Sequence, residues 1–292
     1  MLFNSYKNKK DGAIRGYDIQ TPRVRVLAAV IMLLCFVIVG ICIFPALWVI
    51  LAGFKDIKEF MRSAAIWPTS FDFEKFRVTW KAFKFEKYYL NSVISVTGST
   101  VCAIIFNGLL AYGFAILKPK GYKVAWALVM WSLLIPATTS IVAVMRNISL
   151  IGLKGSFLPI WLAFGANAFY VVLFKEFFES LPSELLEAAK LDGCGVLQVF
   201  IRIMMPLSRP IIMVVAIFAV TAAWSDFILP YLVLNGSGKE TVMVKLFAFK
   251  DTPTDAVSVL RAVVFSIIPP TILFTLFQKQ ITDSAAAGAI KG

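Results

Sequence analysis

Residues 88–117 read YYLNSVISVTGSTVCAIIFNGLLAYGFAIL, thirty positions without a charged side chain. A helix needs about 20 apolar residues to cross the hydrocarbon core of a bilayer, so this stretch is long enough to span. Five more charge-free runs occur, at 26–54, 124–145, 155–174, 210–225 and 262–278. The run 210–225 is short but continues past Asp226 into Phe227-Ile228-Leu229-Pro230, and 262–278 contains Pro269-Pro270. In lipid a backbone must satisfy its own hydrogen bonds, so these runs read as helices. The expected fold is all-α: a polytopic membrane protein with six transmembrane helices. Composition agrees, because 59% of the 292 residues are hydrophobic and 16% are charged, where a soluble domain has about a quarter charged. The rival reading is six buried helices of a soluble protein. The segments between the runs hold too little polar surface to cover such a core. The run 26–54 is also too long for the apolar part of a signal peptide, about 7–15 residues, and no small-x-small cleavage site follows it.

An even number of spans puts both termini on one side. With the N-terminus inside, inner segments carry 15 Lys and Arg and outer loops 14, so the total decides nothing. Local density favours a cytoplasmic N-terminus. Arg15, Arg23 and Arg25 precede the first span, and Lys118-Pro-Lys-Gly-Tyr-Lys123 has three Lys and no acid. The expected organisation is a cytoplasmic tail at 1–25, a first span at 26–54 and an external loop at 55–87. A transmembrane core follows at 88–279, holding a cytoplasmic loop at 179–210, and a second cytoplasmic tail closes the chain at 280–292. No internal repeat is visible.

The residue inventory removes several chemistries. There is no His, which excludes HExxH and His₃ metal sites and Ser-His-Asp triads. No metal site is expected. The four Cys, at 35, 42, 102 and 194, form no CxxC pair and read as structural. A phosphate-cradling loop needs GxxxxGK[ST]. The nearest string, Gly236-Ser-Gly-Lys-Glu240, has Val233 where the first Gly belongs and Glu240 where Ser or Thr belongs. This chain is therefore not expected to hydrolyse ATP or to act as an enzyme by itself.

One loop differs from the rest. Pro182 breaks the chain and Ser183 is suited to cap a helix running through Glu184, Leu185, Leu186, Ala188, Ala189 and Leu191. Glu184 sits in the first turn, where an anion suits the helix dipole. Gly193 and Gly195 end that helix, since Gly accepts positive φ. A second helix shows Val196, Val199, Phe200, Ile203 and Met204 on one face, and Pro206 and Pro210 close it. The element is helix, glycine turn, amphipathic helix, presented at the membrane surface. From physics alone it is either an interfacial loop resting on headgroups or a docking element for another protein.

Glu187-Ala188-Ala189, three residues, Gly193, nine residues and Ile203-x-x-Pro206 together resemble the EAA motif of ABC importer membrane subunits. Met205 stands where the family usually has Leu. Asn91-Ser92 and Tyr112-Gly113-Phe114-Ala115 also resemble family patterns at the start and end of the second span. The ending Ala287-Gly-Ala-Ile-Lys-Gly292 is similar to the sugar-uptake branch, near the maltose importer's smaller membrane subunit. That branch often has Trp-Asn in the fifth span, where this chain has Trp224-Ser225-Asp226. The resemblance covers residues 85–292 well and the first span more loosely. It implies a type I ABC importer permease fold and a coupling helix that docks on an ATPase, through Glu187, Ala188, Ala189, Asp192 and Gly193. It also implies a second permease subunit, two ATPase subunits that use ATP and Mg²⁺, an extracytoplasmic solute-binding protein and residence in the cytoplasmic membrane. No cofactor is expected in this chain and no nucleic acid as partner.

A solute pathway needs polar groups at membrane depth. The candidates are Asn107, Thr138 and Thr139 with Ser140, Asn167, Tyr170 and Asp226. Packing is the competing role for each, because Ser, Thr and Asn often bond across helices. Trp48, Trp126 and Trp161 read as interfacial anchors. The expected cargo is a sugar or oligosaccharide. The alternatives are another organic solute, such as a polyamine or phosphodiester, or an ATP-independent secondary transporter. The last predicts mid-span carboxylates or inverted repeats, and the first four runs have no charge.

Overall fold

The computed structural model describes residues 22–249 and 254–289. Every regular element among them is helical. The chain forms two compact units, Met1–Asp72 and Phe73–Gly292, divided inside the loop expected at 55–87. Residues 1–21 and 290–292, the ends of the two expected tails, lie outside the described residues.

The first unit is built on α1 (Pro22–Phe54), which carries Pro45 without a break, and α2 (Ile57–Arg62). Large apolar side chains along α1 from Val26 to Leu47 are exposed, as suits a helix whose neighbour is lipid. After α1 the chain is tied down locally. Lys55 Nζ donates to the Ala65 carbonyl. Glu59 accepts from the Thr69 amide at 2.7 Å and its hydroxyl at 3.1 Å. The Phe71 ring meets Phe54 edge-on at 5.2 Å.

The second unit opens with α3 (Glu74–Ala82) and α4 (Phe85–Tyr112), and α4 continues as a π-turn over Gly113–Leu117. Then come α5 (Tyr122–Ser132), a 3-10 turn (Ala137–Ser140), α6 (Ile141–Leu150), α7 (Leu158–Gly165) and α8 (Ala168–Glu179). The expected loop contains α9 (Ser183–Leu191), α10 (Val196–Val199), a π-turn (Phe200–Met204) and α11 (Met205–Leu207). Beyond it lie α12 (Arg209–Ser225), α13 (Ile228–Leu234), α14 (Val242–Ala248) and α15 (Ala256–Ala289).

α4 is the centre of this unit, with α7, α8 and α12 packed around it. Its buried face is Ser92, Ser95, Ser99, Ala103, Asn107 and Ala111, a seam of mostly small residues at spacings of three and four. Small side chains let helix backbones approach closely where no hydrophobic effect drives them together. Ala219 and Ala223 play the same part on α12. Gly98 lets the Trp161 ring lie on the α4 backbone: a Cβ there would sit 2.2 Å from the ring. Trp161 is therefore a packing residue in this fold. Trp126 packs too, edge-on to Phe114 at 5.5 Å and under Lys175 Nζ at 4.7 Å.

Among the described residues, three helical stretches are long and apolar enough to cross a membrane: Val24–Phe54, Phe85–Leu117 and Ala256–Gln278. Two bent pairs raise the number to five, Leu158–Gly165 with Ala168–Glu179 at 43° and Val196–Leu207 with Arg209–Ser225 at 80°. The run 124–145, expected as one helix, is divided between α5 and α6. Pro136 offers no amide hydrogen and disfavours helix in the residue before it, so α5 stops short. A sixth crossing requires those two pieces to act together. The last run, 262–278, lies within α15, which carries Pro269-Pro270 without interruption and extends past residue 279.

Candidate functional site

The loop expected at 179–210 folds as its residues dictate. α9 ends at Leu191, and Gly193 takes φ +74°, which returns the chain toward the core. The Cys194 amide then donates to the Ala189 carbonyl at 3.0 Å. The Gly195 amide is satisfied by Gln198 Oε1 at 2.9 Å, which starts α10. Of the expected face, Val199, Phe200 and Met204 are buried and Ile203 packs beside them, while Val196 is exposed.

The five docking candidates divide. Glu187, Ala188, Asp192 and Gly193 are exposed, whereas Ala189 is buried against the core at 3% exposure. Ala189 anchors the helix, and the other four form its outward surface. Leu185 and Leu191 are exposed beside them, Leu191 at 88%. The loop thus presents acidic and apolar groups side by side on a short helix fixed from beneath. The fixing contacts come from the end of α4. Tyr112 donates its hydroxyl to the Val196 carbonyl at 3.2 Å, and its ring meets Phe200 at 5.3 Å. A cleft of about 160 Å³, lined by Tyr112, Leu117, Leu186, Cys194 and Val199 among others, separates α4 from the loop. Both π-turns adjoin this contact: one follows Tyr112 directly, the other starts at Phe200. Such turns interrupt the regular ladder and recur at functional positions.

The substrate-pathway candidates also divide. A cavity of about 450 Å³ is lined by Thr138, Ser140, Ile141, Val144, Ala163, Ala166, Asp226, Ile228 and Leu229. It brings Thr138 and Asp226 together although 88 positions separate them in sequence. Asp226 Oδ1 accepts from the Ile228 amide at 3.1 Å. Thr139 turns back, its hydroxyl donating to the Pro136 carbonyl at 2.7 Å.

Asn107, Asn167 and Tyr170 form a joint instead. The bend between α7 and α8 takes the Phe164 carbonyl and the Asn167 amide out of the helical ladder. Asn107, with no exposed surface, supplies both missing partners. Its Nδ2 donates to Phe164 O at 2.9 Å and to Ala103 O at 2.7 Å, and its Oδ1 accepts from the Asn167 amide at 2.9 Å. Asn167 then caps α8, its Oδ1 accepting from the Tyr170 amide at 3.3 Å. Tyr170 is buried in the core, its ring 5.9 Å from Phe169.

The Asn91-Ser92 pair has a structural role of its own. Asn91 Nδ2 donates to the Glu240 carbonyl at 3.0 Å, and Ser92 Oγ accepts from the Val242 amide at 2.9 Å. They pin the Gly236–Glu240 string, whose Gly236 and Gly238 both take φ +77°. The string that fails as a phosphate loop is a glycine corner clamped to the second span.

The structure superposes on a bacterial ABC transporter involved in the import of the acidic polysaccharide alginate, with a TM-score of 0.78 and 20% identity, covering 89% of this chain and 98% of that one. In sequence the chain is similar to the diacetylchitobiose uptake system permease protein NgcG of Streptomyces coelicolor, at 28% identity over 86% of this chain and 85% of the relative. It is also similar to the melibiose/raffinose/stachyose import permease protein MelC of Bacillus subtilis, at 28% identity over 90% and 96%. A third relative is the arabinooligosaccharides transport system permease protein AraQ of Bacillus subtilis, at 26% identity over 86% and 91%. Residues 22–285 match the family model of binding-protein-dependent transport system inner membrane components. The chain therefore belongs to the family of binding-protein-dependent transport system inner membrane components.

Proposed function

We propose that this chain is the permease subunit of an ATP-driven importer that moves a sugar or oligosaccharide across the cytoplasmic membrane by alternating access. Both termini face the cytoplasm. A second, similar permease completes the pathway, two separate ATPase subunits supply energy from MgATP, and an extracytoplasmic binding protein delivers the solute. The observation that carries the reading is the loop 183–207. Its outward surface, Glu187, Ala188, Asp192 and Gly193, is free for a partner, while Ala189, Val199, Phe200 and Met204 are held in the core. A helix fixed in this way passes a push into α12 instead of absorbing it. What supports a saccharide as cargo is that the relatives named above are saccharide permeases. Thr138, Ser140 and Asp226 give the 450 Å³ cavity hydroxyl and carboxylate groups suited to hydroxyl-rich solutes.

The test is reconstitution with the ATPases and binding protein in liposomes. Glu187→Lys reverses the charge of the docking surface, and Gly193→Leu puts a branched side chain at φ +74°. Each should leave the permease folded, abolish stimulation of ATP hydrolysis by the loaded binding protein and stop uptake. Normal uptake by both variants would sink the docking assignment. A binding protein that holds a polyamine or phosphodiester would replace the saccharide.

A further inference from the structure

Pro269 and Pro270 sit inside α15, an otherwise continuous helix. Proline has no amide hydrogen, so each removes one bond of the i to i−4 ladder. Residue 269 would have donated to the carbonyl of Phe265, and residue 270 to that of Ser266. Two carbonyls are therefore orphaned side by side, where water is scarce and the cost is high. Both receive donors from other helices. Tyr89 of α4 donates its hydroxyl to the Phe265 carbonyl. Trp224, in the last turn of α12, donates Nε1–H to the Ser266 carbonyl at 3.1 Å. Two different spans thus fill the two vacancies made by two consecutive prolines.

The site is dry and closely packed. Trp224, Phe265 and Ser266 are each less than a tenth exposed. Trp80 and Phe85 place their rings edge-on to Phe265 at 5.1 and 5.0 Å, and Tyr89 meets Trp224 at 5.8 Å. A hydrogen bond screened from water in this way is stronger than an exposed one. Its position matters as well. α12 begins at Arg209, next to the coupling loop across the 80° bend, and has Trp224 at its far end. One helix therefore joins the surface proposed to meet the ATPase to the carbonyl freed by Pro270.

We propose that Trp224 and Tyr89 are positioning residues of the transport cycle: they latch the sixth span to the fifth and second through the carbonyls freed by Pro269 and Pro270, so that displacement of α12 is passed to α15. This rests on the transport reading above. One donor, Trp224, opens the Trp224-Ser225-Asp226 string, the other, Tyr89, lies near the start of α4, and the Pro pair supplies the acceptor for each. Trp224→Phe keeps a ring and removes only the donor. Pro270→Ala restores an amide for Ser266 and makes the Trp224 donor redundant.

The experiment uses the complete importer in nanodiscs and reads amide hydrogen exchange in α12 and α15, resting and trapped with MgATP and vanadate. In the native chain both helices should change protection on trapping. In Trp224→Phe the α12 response should persist and the α15 response should fall several-fold. A thermal-midpoint cycle accompanies it. Trp224→Phe should lower the midpoint in the native chain and leave it unchanged in the Pro270→Ala chain. Tyr89→Phe with Pro269→Ala should behave in the same way. A full α15 response in Trp224→Phe overturns the latch as a transmitter. An equal midpoint loss in both backgrounds shows that the ring and not the donor matters, and overturns the bond. If the native chain neither joins the ATPases nor responds to trapping, the transport reading has failed, and the midpoint cycle alone decides the bonds.

Discussion

The first and second spans are both long and apolar enough to cross a membrane, the first being the more apolar. Each is free of charge for about thirty residues, yet α1 buries none of its most apolar window within the chain and α4 buries 39% of its own. The difference is in what interrupts the large apolar residues. α1 is mainly Leu, Ile, Val and Phe, and its large apolar side chains from Val26 to Leu47 are exposed. α4 carries Ser92, Ser95, Ser99, Ala103, Asn107 and Ala111 along one face, and that face meets α7, α8 and α12. Apolar length says that a helix enters the bilayer. Small and polar residues at helical spacing say which side of it meets protein.

The largest expected effect tests this contrast at two glycines. A Cβ on Gly98 of α4 would lie 2.2 Å from the Trp161 ring, whereas nothing lies within 4 Å of one on Gly40 of α1. Gly98→Leu should force α4 and α7 apart and leave little folded protein in detergent, by size-exclusion profile. Gly40→Leu should match the native profile. Equal damage from both would mean that α1 also has a packed face, and the contrast would break.

Next in size is Asn107→Ala. It leaves the Phe164 carbonyl and the Asn167 amide without partners at a bend that cannot satisfy them itself. Leaving such groups unmet costs about 1–3 kcal/mol each. The thermal midpoint should fall clearly, with a larger loss than any hydroxyl deletion on α4. If transport fails while the midpoint holds, Asn107 belongs to the solute pathway instead of the joint.

How much of this was legible beforehand follows from how local each feature is. The loop at 179–210 could be read in detail, because a glycine at positive φ and an amphipathic face are properties of neighbours in sequence. Even there, Ala188 and Ala189 look alike as letters, and only the fold sends Ala188 outward and Ala189 into the core. The π-turns were not legible, since nothing in Phe200–Met204 departs from an α-helical pattern. The pathway was legible only as a set of polar residues. Asn107 and Asn167 went to a bend whose place the apolar run 155–174 does not reveal, while Thr138 and Asp226 met through the break at Pro136 and the end of α12. In the sequence the Pro pair is only a feature of the run 262–278. With carbonyl acceptors filled from α4 and α12, it is compatible with a long helix.

The smallest expected effect decides what the hydroxyls of the α4 seam are for. Ser95 and Ser99 are 1% and 0% exposed, and neither Oγ has a hydrogen-bond partner among the described residues. A buried hydroxyl without a partner does not stabilise, so their value must be size: each is small enough for another helix to come close. Ala is smaller still and has no polar atom to satisfy. Ser99→Ala should therefore leave uptake unchanged and alter stability by no more than about 0.5 kcal/mol, with a gain as acceptable as a loss. Ser99→Val, which adds bulk and no polarity, should cost more, because an overpacked interface loses about 1–3 kcal/mol. That order, Val worse than Ala, is the signature of a spacer. The reverse order would show that the hydroxyl holds something, and α4 would then differ from α1 by hydrogen bonding rather than by the room it leaves for its neighbours.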